Sequence, residues 1–203
     1  GIAVAQSGKR VLLIDTDMRR PRIHRAFKMS NKIGLTSVLA GVMDLDEAVQ
    51  PTEVENLFIV PCGPLPPNPS ELMHTSAFRR LIEETGDKFD LVIFDSPPLC
   101  AVTDAAIVAP QVDGVVLVLR YGKSSKDALH SALRQVRDVG ARVVGAVLND
   151  VDLESRRYGY GSASYYYYYY RSDSYYGGDD GPDSEDPGSS GEPSSNRASA
   201  PAE

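Results

Sequence analysis

Short apolar runs recur along residues 1–153, each closed by a polar residue or a turn. They are Val11-Leu-Leu-Ile-Asp15, Leu57-Phe-Ile-Val60, Leu91-Val-Ile-Phe-Asp95, Gly114-Val-Val-Leu-Val-Leu119 and Val143-Val-Gly-Ala-Val-Leu148. Runs this short, without polar alternation, predict strands covered on both faces, as in parallel sheets. Between them the apolar period lengthens to that of a helix. Ser70 is the predicted cap of one helix, with Glu71 in its first turn, Leu72, Phe78, Leu81 and Ile82 on one face and Gly86 at its end. Ser124 or Ser125 caps the next, whose stripe is Leu129, Leu133 and Val136 and whose stop is Gly140. Gly1 to Gln6 reads as the end of a further helix. Strands alternating with helices predict an α/β fold with a doubly wound, mostly parallel sheet. Ligands of such sheets bind at the carboxyl ends of the strands.

Composition divides the chain. From Glu154 to Glu203 there is no Leu, Ile, Val, Phe, Met or Cys, and ten of the eleven tyrosines fall there. That tail has four Arg against nine Asp and Glu, net −5, while the body before it is net −2. The expected organisation is a folded domain over 1–153, a tyrosine-rich cluster over 154–176 and a disordered acidic Gly/Ser/Pro segment over 177–203. A pI near 5.0 gives no global electrostatic reason to hold nucleic acid. Cys62 and Cys100 form no C-x-x-C pair and are expected as small core residues rather than a disulfide or zinc ligands. No apolar run reaches the ~18 residues of a membrane span, and no signal peptide is recognised. A start on Gly1, inside a helix, predicts a fragment.

The chemistry concentrates where strands end in acids. Val11-Leu-Leu-Ile-Asp15-Thr-Asp17 delivers two carboxylates, two apart, to one strand end. Such a pair can hold Mg²⁺ through its water shell and accept a proton from an attacking hydroxyl. Arg19, Arg20 and Arg22 follow and can meet phosphate oxygens. The plainer reading is a strand ending in a solvated polar turn. Leu91-Val-Ile-Phe-Asp95-Ser-Pro-Pro98 repeats the theme and fits a Walker B acid. Asn149, at the end of the last run, offers an amide able to pair with an adenine edge, and equally suits a simple strand cap. The tyrosine tract is either sticky low-complexity sequence or a set of phosphoacceptors, each phosphate adding close to two negative charges.

Residues 8–21, GKRVLLIDTDMRRP, resemble the Walker A′ segment of the bacterial tyrosine kinases, the cytoplasmic kinases of polysaccharide co-polymerases. Gly63-Pro-Leu-Pro-Pro-Asn-Pro-Ser-Glu-Leu72, Phe94-Asp-Ser-Pro-Pro98 and the tyrosine-rich C-terminus are similar to that family too. The resemblance implies a P-loop NTPase-like fold of the deviant Walker type, ATP and Mg²⁺ as cofactors, and transfer of the γ-phosphoryl group to the protein's own tyrosines. It implies Asp15 and Asp95 as metal ligands and Asp15, Asp17 and Asp95 as catalytic acids. Asp17, further into the loop, is taken as the base. Arg19, Arg20 and Asn149 are the nucleotide contacts, and Tyr158, Tyr160, Tyr165, Tyr166, Tyr167, Tyr168, Tyr169, Tyr170, Tyr175 and Tyr176 are the phosphoacceptors. The implied partners are a transmembrane activator, fused or separate, further copies of the chain in a ring, and a tyrosine phosphatase. The implied place is the cytoplasmic face of the bacterial membrane, and the implied role is control of capsule or exopolysaccharide export.

One motif departs from the pattern. The family's P-loop, G-x-x-x-x-G-K-[ST], occurs nowhere in the 203 residues. Truncation ahead of Gly1 explains this, and also the missing Glu/Arg oligomerisation motif. The fragment is therefore expected to bind ATP poorly and to show little or no kinase activity. Two other readings stand beside the autokinase: a partitioning or septum-site type of ATPase switch, and a P-loop-less interaction module without catalysis.

Overall fold

The computed structural model describes residues 1–151. The boundary near 153, the tyrosine cluster and the acidic segment lie outside the described residues.

In chain order the elements are α1 (Ile2–Gln6), β1 (Val11–Asp15), α2 (Ile23–Ala26), α3 (Leu35–Leu39), α4 (Leu45–Ala48), β2 (Gln50–Pro51) and β3 (Leu57–Val60). There follow α5 (Pro69–Met73), α6 (Ser76–Lys88), β4 (Leu91–Asp95), α7 (Asp104–Val108) with a 3₁₀ turn over Ala109–Gln111, β5 (Val115–Arg120), α8 (Lys126–Asp138) and β6 (Val143–Asn149). All five predicted strands form, and both Ser125 and Gly140 act as expected. Ser125 Oγ accepts the Ala128 amide, and Gly140 takes a positive φ of +74° after the end of α8.

β1 is the central strand of a sheet ordered β2-β3-β1-β4. It runs parallel to β3 and β4, with Val11 opposite Leu57 and Leu91, and Asp15 directly opposite Asp95. Alternate residues of β1 serve opposite layers, as the strand repeat requires. Leu12 and Ile14 enter the main core with Leu35, Leu39, Phe78, Leu81 and Val108 of α3, α6 and α7, while Val11 packs with Leu57 and Ala5 of α1 on the other face. Helices on both faces make this the doubly wound α/β architecture expected.

Four details differ from expectation. The single predicted sheet is two, because β5 and β6 pair only with each other, in parallel, and no ladder among the described strands joins them to β4. Their strands are not covered on both faces: α8 packs on one side through Ala132 and Val136, while Val116, Val118 and Val147 remain exposed. The helix predicted from Ser70 to Gly86 is two helices. Thr75 interrupts it by capping α6, its Oγ1 accepting the Phe78 amide, and Gly86 is carried through as a helical residue. Cys62 is buried as expected, but Cys100 is exposed, because it lies in the loop after β4 rather than in a strand. No described helix is long and apolar enough to cross a membrane.

Candidate active site

Two adjacent parallel strands, β1 and β4, end in carboxylates at the same level of the sheet. The strand ends are fastened together: the Thr16 amide and the Thr16 hydroxyl both donate to the Asp95 carbonyl oxygen, at 2.8 and 2.6 Å. Asp15 and Asp95 are thus neighbours by backbone construction, whatever their side chains do. Asp17 follows two residues into the loop.

Each acid has a different environment. Asp15 is fully buried and accepts three amides, Asp17 N–H on Oδ1 at 3.2 Å and Arg22 and Ile23 N–H on Oδ2, both at 3.1 Å. It therefore folds the 16–22 loop back over the strand end. Burial still pushes its carboxyl above the ordinary carboxylate range, the amides oppose that, and the charge of Asp17 adds to it. Asp95, exposed at its strand end, is raised as well, by partial loss of water around its carboxyl and by the charges of Asp15 and Asp17. Asp17 is half-buried and accepts the Arg19 and Arg20 amides on Oδ1, at 3.1 and 2.9 Å, which leaves its second oxygen for a reactant. The charge of Asp17 raises Asp15, and those of Asp15 and Asp17 raise Asp95, a mutual repulsion that a divalent metal would relieve. Among the described residues no group of three or more His, Cys, Asp or Glu side chains forms a self-sufficient metal cage. Mg²⁺ typically keeps several waters and takes one or two carboxylates together with substrate phosphates.

The basic residues divide. Arg19 was expected on phosphate, but its guanidinium grips Asp104 at the start of α7, Nε to Oδ2 at 2.7 Å and Nη2 to Oδ1 at 3.1 Å. Arg20 stays exposed. Asn149 sits at the carboxyl end of β6, in the two-stranded sheet rather than the one carrying the acids, and its backbone carbonyl accepts the Tyr121 amide. The ten predicted phosphoacceptor tyrosines lie outside the described residues.

Two supports escaped the sequence reading. Gly63 and Asn31 bond reciprocally, Asn31 Nδ2 to the Gly63 carbonyl at 3.0 Å and the Gly63 amide to Asn31 Oδ1 at 2.8 Å, and Thr36 Oγ1 donates to the Pro64 carbonyl at 2.8 Å. These bonds set the start of the 63–69 loop. Asp104 is the other: fully buried, it also accepts the Ser70 hydroxyl at 2.6 Å, and the Arg19 hydrogen bonds hold its carboxyl below the usual range. An acid directly before the apolar run Ala105-Ala-Ile-Val108 was the available signal.

The phosphate cradle is the part that the residues do not supply: no glycine-rich P-loop occurs in the sequence. The AAA-domain family matches residues 1–147. The tyrosine-protein kinase YwqD of Bacillus subtilis is 40% identical over 160 residues, 78% of this chain and 68% of that protein. The tyrosine-protein kinase ptk of Acinetobacter johnsonii is 42% identical over 156 residues, 76% of this chain but only 21% of that protein. Among solved structures, the kinase domain of the Escherichia coli tyrosine kinase ETK superposes with a TM-score of 0.73 at 38% identity, covering 79% of this chain and 63% of that one. Paired strand-end acids on a doubly wound sheet, a domain match over most of the chain and relatives of this identity agree, and the chain belongs to the bacterial tyrosine-protein kinases.

Proposed function

We propose that this chain is the core of a protein-tyrosine autokinase domain that directs the γ-phosphoryl group of ATP to tyrosines of its own C-terminal cluster. The observation that carries the reading is the register of Asp15 against Asp95, with Asp17 two residues beyond. Asp15 and Asp95 would hold Mg²⁺, and the bound ion would supply charge neutralisation on the phosphoryl group. Asp15 also fixes the loop through its three amides. Asp17, with one oxygen tied to backbone and the other available, takes the proton from the acceptor tyrosine hydroxyl. Arg20, exposed beside it, meets phosphate oxygens, and Asn149 is the adenine contact. Phosphoryl transfer asks the protein for positioning and electrostatics more than covalent chemistry, which fits a site built of anchored acids. The acceptors are Tyr158, Tyr160, Tyr165 to Tyr170, Tyr175 and Tyr176.

The wider setting follows from the family. The kinase acts at the cytoplasmic face of the bacterial membrane, with a transmembrane activator, in a ring of copies, reversed by a tyrosine phosphatase, and controls capsule or exopolysaccharide export. Phosphate accumulating on the clustered tyrosines repels neighbouring tails and loosens the ring.

The test is tandem mass spectrometry of the native-host protein, mapping phosphate over residues 158–176, repeated with Asp15 and Asp17 changed to Asn. Phosphate on several tyrosines, lost in the variant, is expected. An unmodified tail during active polysaccharide synthesis would overturn the autokinase and favour an ATPase switch.

A further inference from the structure

Asp104 takes no part in the chemistry assigned to the strand-end acids, yet it accepts as many hydrogen bonds as Asp15 does, all of them from side chains. It is completely withdrawn from solvent and joins three segments: the loop after β1 through Arg19, the start of α5 through Ser70, and α7, on which it sits. Burying a carboxylate costs several kcal/mol unless its partners are well placed. Here the Arg19 fork engages both oxygens, a geometry that fixes direction as well as distance. The chain of contacts continues past the side chain. The backbone amide of Arg19, with that of Arg20, donates to Asp17 Oδ1. Asp17 is therefore aimed by the residue whose guanidinium Asp104 grips.

We propose that Asp104 is a positioning residue for tyrosine phosphorylation: by holding Arg19, and being held by Ser70, it fixes the 16–22 loop so that Asp17 meets the acceptor hydroxyl in one geometry. The proposal rests on the assignment of Asp17 as the base. It also gives Arg19 a role other than phosphate binding, and makes the 63–70 segment, through Ser70, a part of the catalytic framework rather than a connector. A purely structural carboxylate would instead serve only to join α7 to α5.

Two measurements on Asp104→Asn separate these roles. The first is amide hydrogen exchange of the 203-residue chain. Exchange at Arg19 and Arg20 should accelerate about tenfold or more, the loss expected when a hydrogen bond to a charged group is released, while Leu12 to Ile14 keep their protection. Arg19→Lys, which preserves charge but not the fork, should reproduce the effect, and Ser70→Ala should give a smaller change at the same two amides. If Asp104→Asn does not fold, these two variants carry the test. The second is autophosphorylation by the native-host protein, where Asp104→Asn should lower kcat about 10–100-fold, as loss of an orienting partner typically does, with KM for ATP unchanged and partial recovery in Asp104→Glu. Uniformly faster exchange, or faster exchange confined to α5 and α7, with kcat intact, would overturn the proposal. If the wild-type protein does not phosphorylate itself, the kinase reading fails, and the Arg19 and Arg20 amides still decide whether Asp104 sets the loop.

Discussion

Gly63 offers a way to disturb the site's framework at a distance from its acids. Its φ is +86°, and a Cβ built there would stand 2.6 Å from Thr36 Oγ1. In Gly63→Ala the left-handed backbone costs about 1–2 kcal/mol, offset by roughly 0.4–1 kcal/mol from the stiffer unfolded chain. The Thr36 hydroxyl must also leave its place. It is buried and bonded to the Pro64 carbonyl at 2.8 Å, so a further ~1–3 kcal/mol is lost if that acceptor goes unpaired. The sum is a destabilisation of about 1–4.5 kcal/mol, read as a lower urea midpoint at constant slope. Gly86→Ala provides the opposite control. Gly86 is exposed within α6 with nothing near the added methyl, so alanine there should stabilise by roughly 0.5–1 kcal/mol. A Thr36→Ala/Gly63→Ala double variant removes the collision and should be less destabilised than the sum of the two singles. A Gly63→Ala protein as stable as wild type, or strictly additive behaviour in the cycle, would refute this account of the loop.

Asp15 and Asp95 both have folded-state pKa values above the ordinary 3.8, so the folded protein holds their protons more firmly than the unfolded chain does. Their contribution to stability is complete below that value and is lost as pH rises through their folded values. Asp95→Asn should therefore make the chain more stable at neutral pH and flatten its stability between acid and neutral pH, measured by urea unfolding; lower stability at neutral pH would contradict the crowded-acid picture. Asp104 runs the other way, stabilising above the ordinary carboxylate range and losing that effect as pH falls, so Asp104→Asn should weaken the chain at neutral pH more than in acid, by the same measurement. Cys100 is exposed, whereas burial and the charges of Asp15 and Asp17 push the Cys62 thiol up to about 12; a colorimetric thiol reagent should titrate one cysteine at once and the other only on unfolding, and Cys100→Ser should abolish the fast phase. Phe78, fully buried and edge-on to Phe94 with ring centroids 6.1 Å apart, should cost about 3–5 kcal/mol as Phe78→Ala, measured by thermal and urea unfolding.

Much of this architecture is legible along the chain because its signals are local. An unbroken apolar run closed by an acid is a strand that ends at the functional edge of a parallel sheet, and Val11–Asp15 and Leu91–Asp95 both are. The helices that were missed, α2, α3, α4 and α7, span only four or five residues, too few for an apolar period to declare itself. The break between α5 and α6 turned on which hydroxyl caps the long helix: Ser70 and Thr75 are both competent by residue type, but Ser70 lies within α5 with its hydroxyl on Asp104, and Thr75 caps α6.

What the sequence by itself determined is the set of acids, their places at two strand ends and the class of fold, since each follows from neighbours one to four residues apart. Only the tertiary structure decided how those acids are held. The pairing of Asp15 with Asp95 depends on which strands become neighbours in the sheet, and Asp104 gathers Arg19 and Ser70 from positions 85 and 34 residues away. No periodicity reports contacts over such separations. Arg19 reads as a phosphate ligand in one dimension because a cation beside two acids is all that the sequence displays. In three dimensions a buried carboxylate needs a cation more strongly than solvent does, and that requirement fixes where the guanidinium goes.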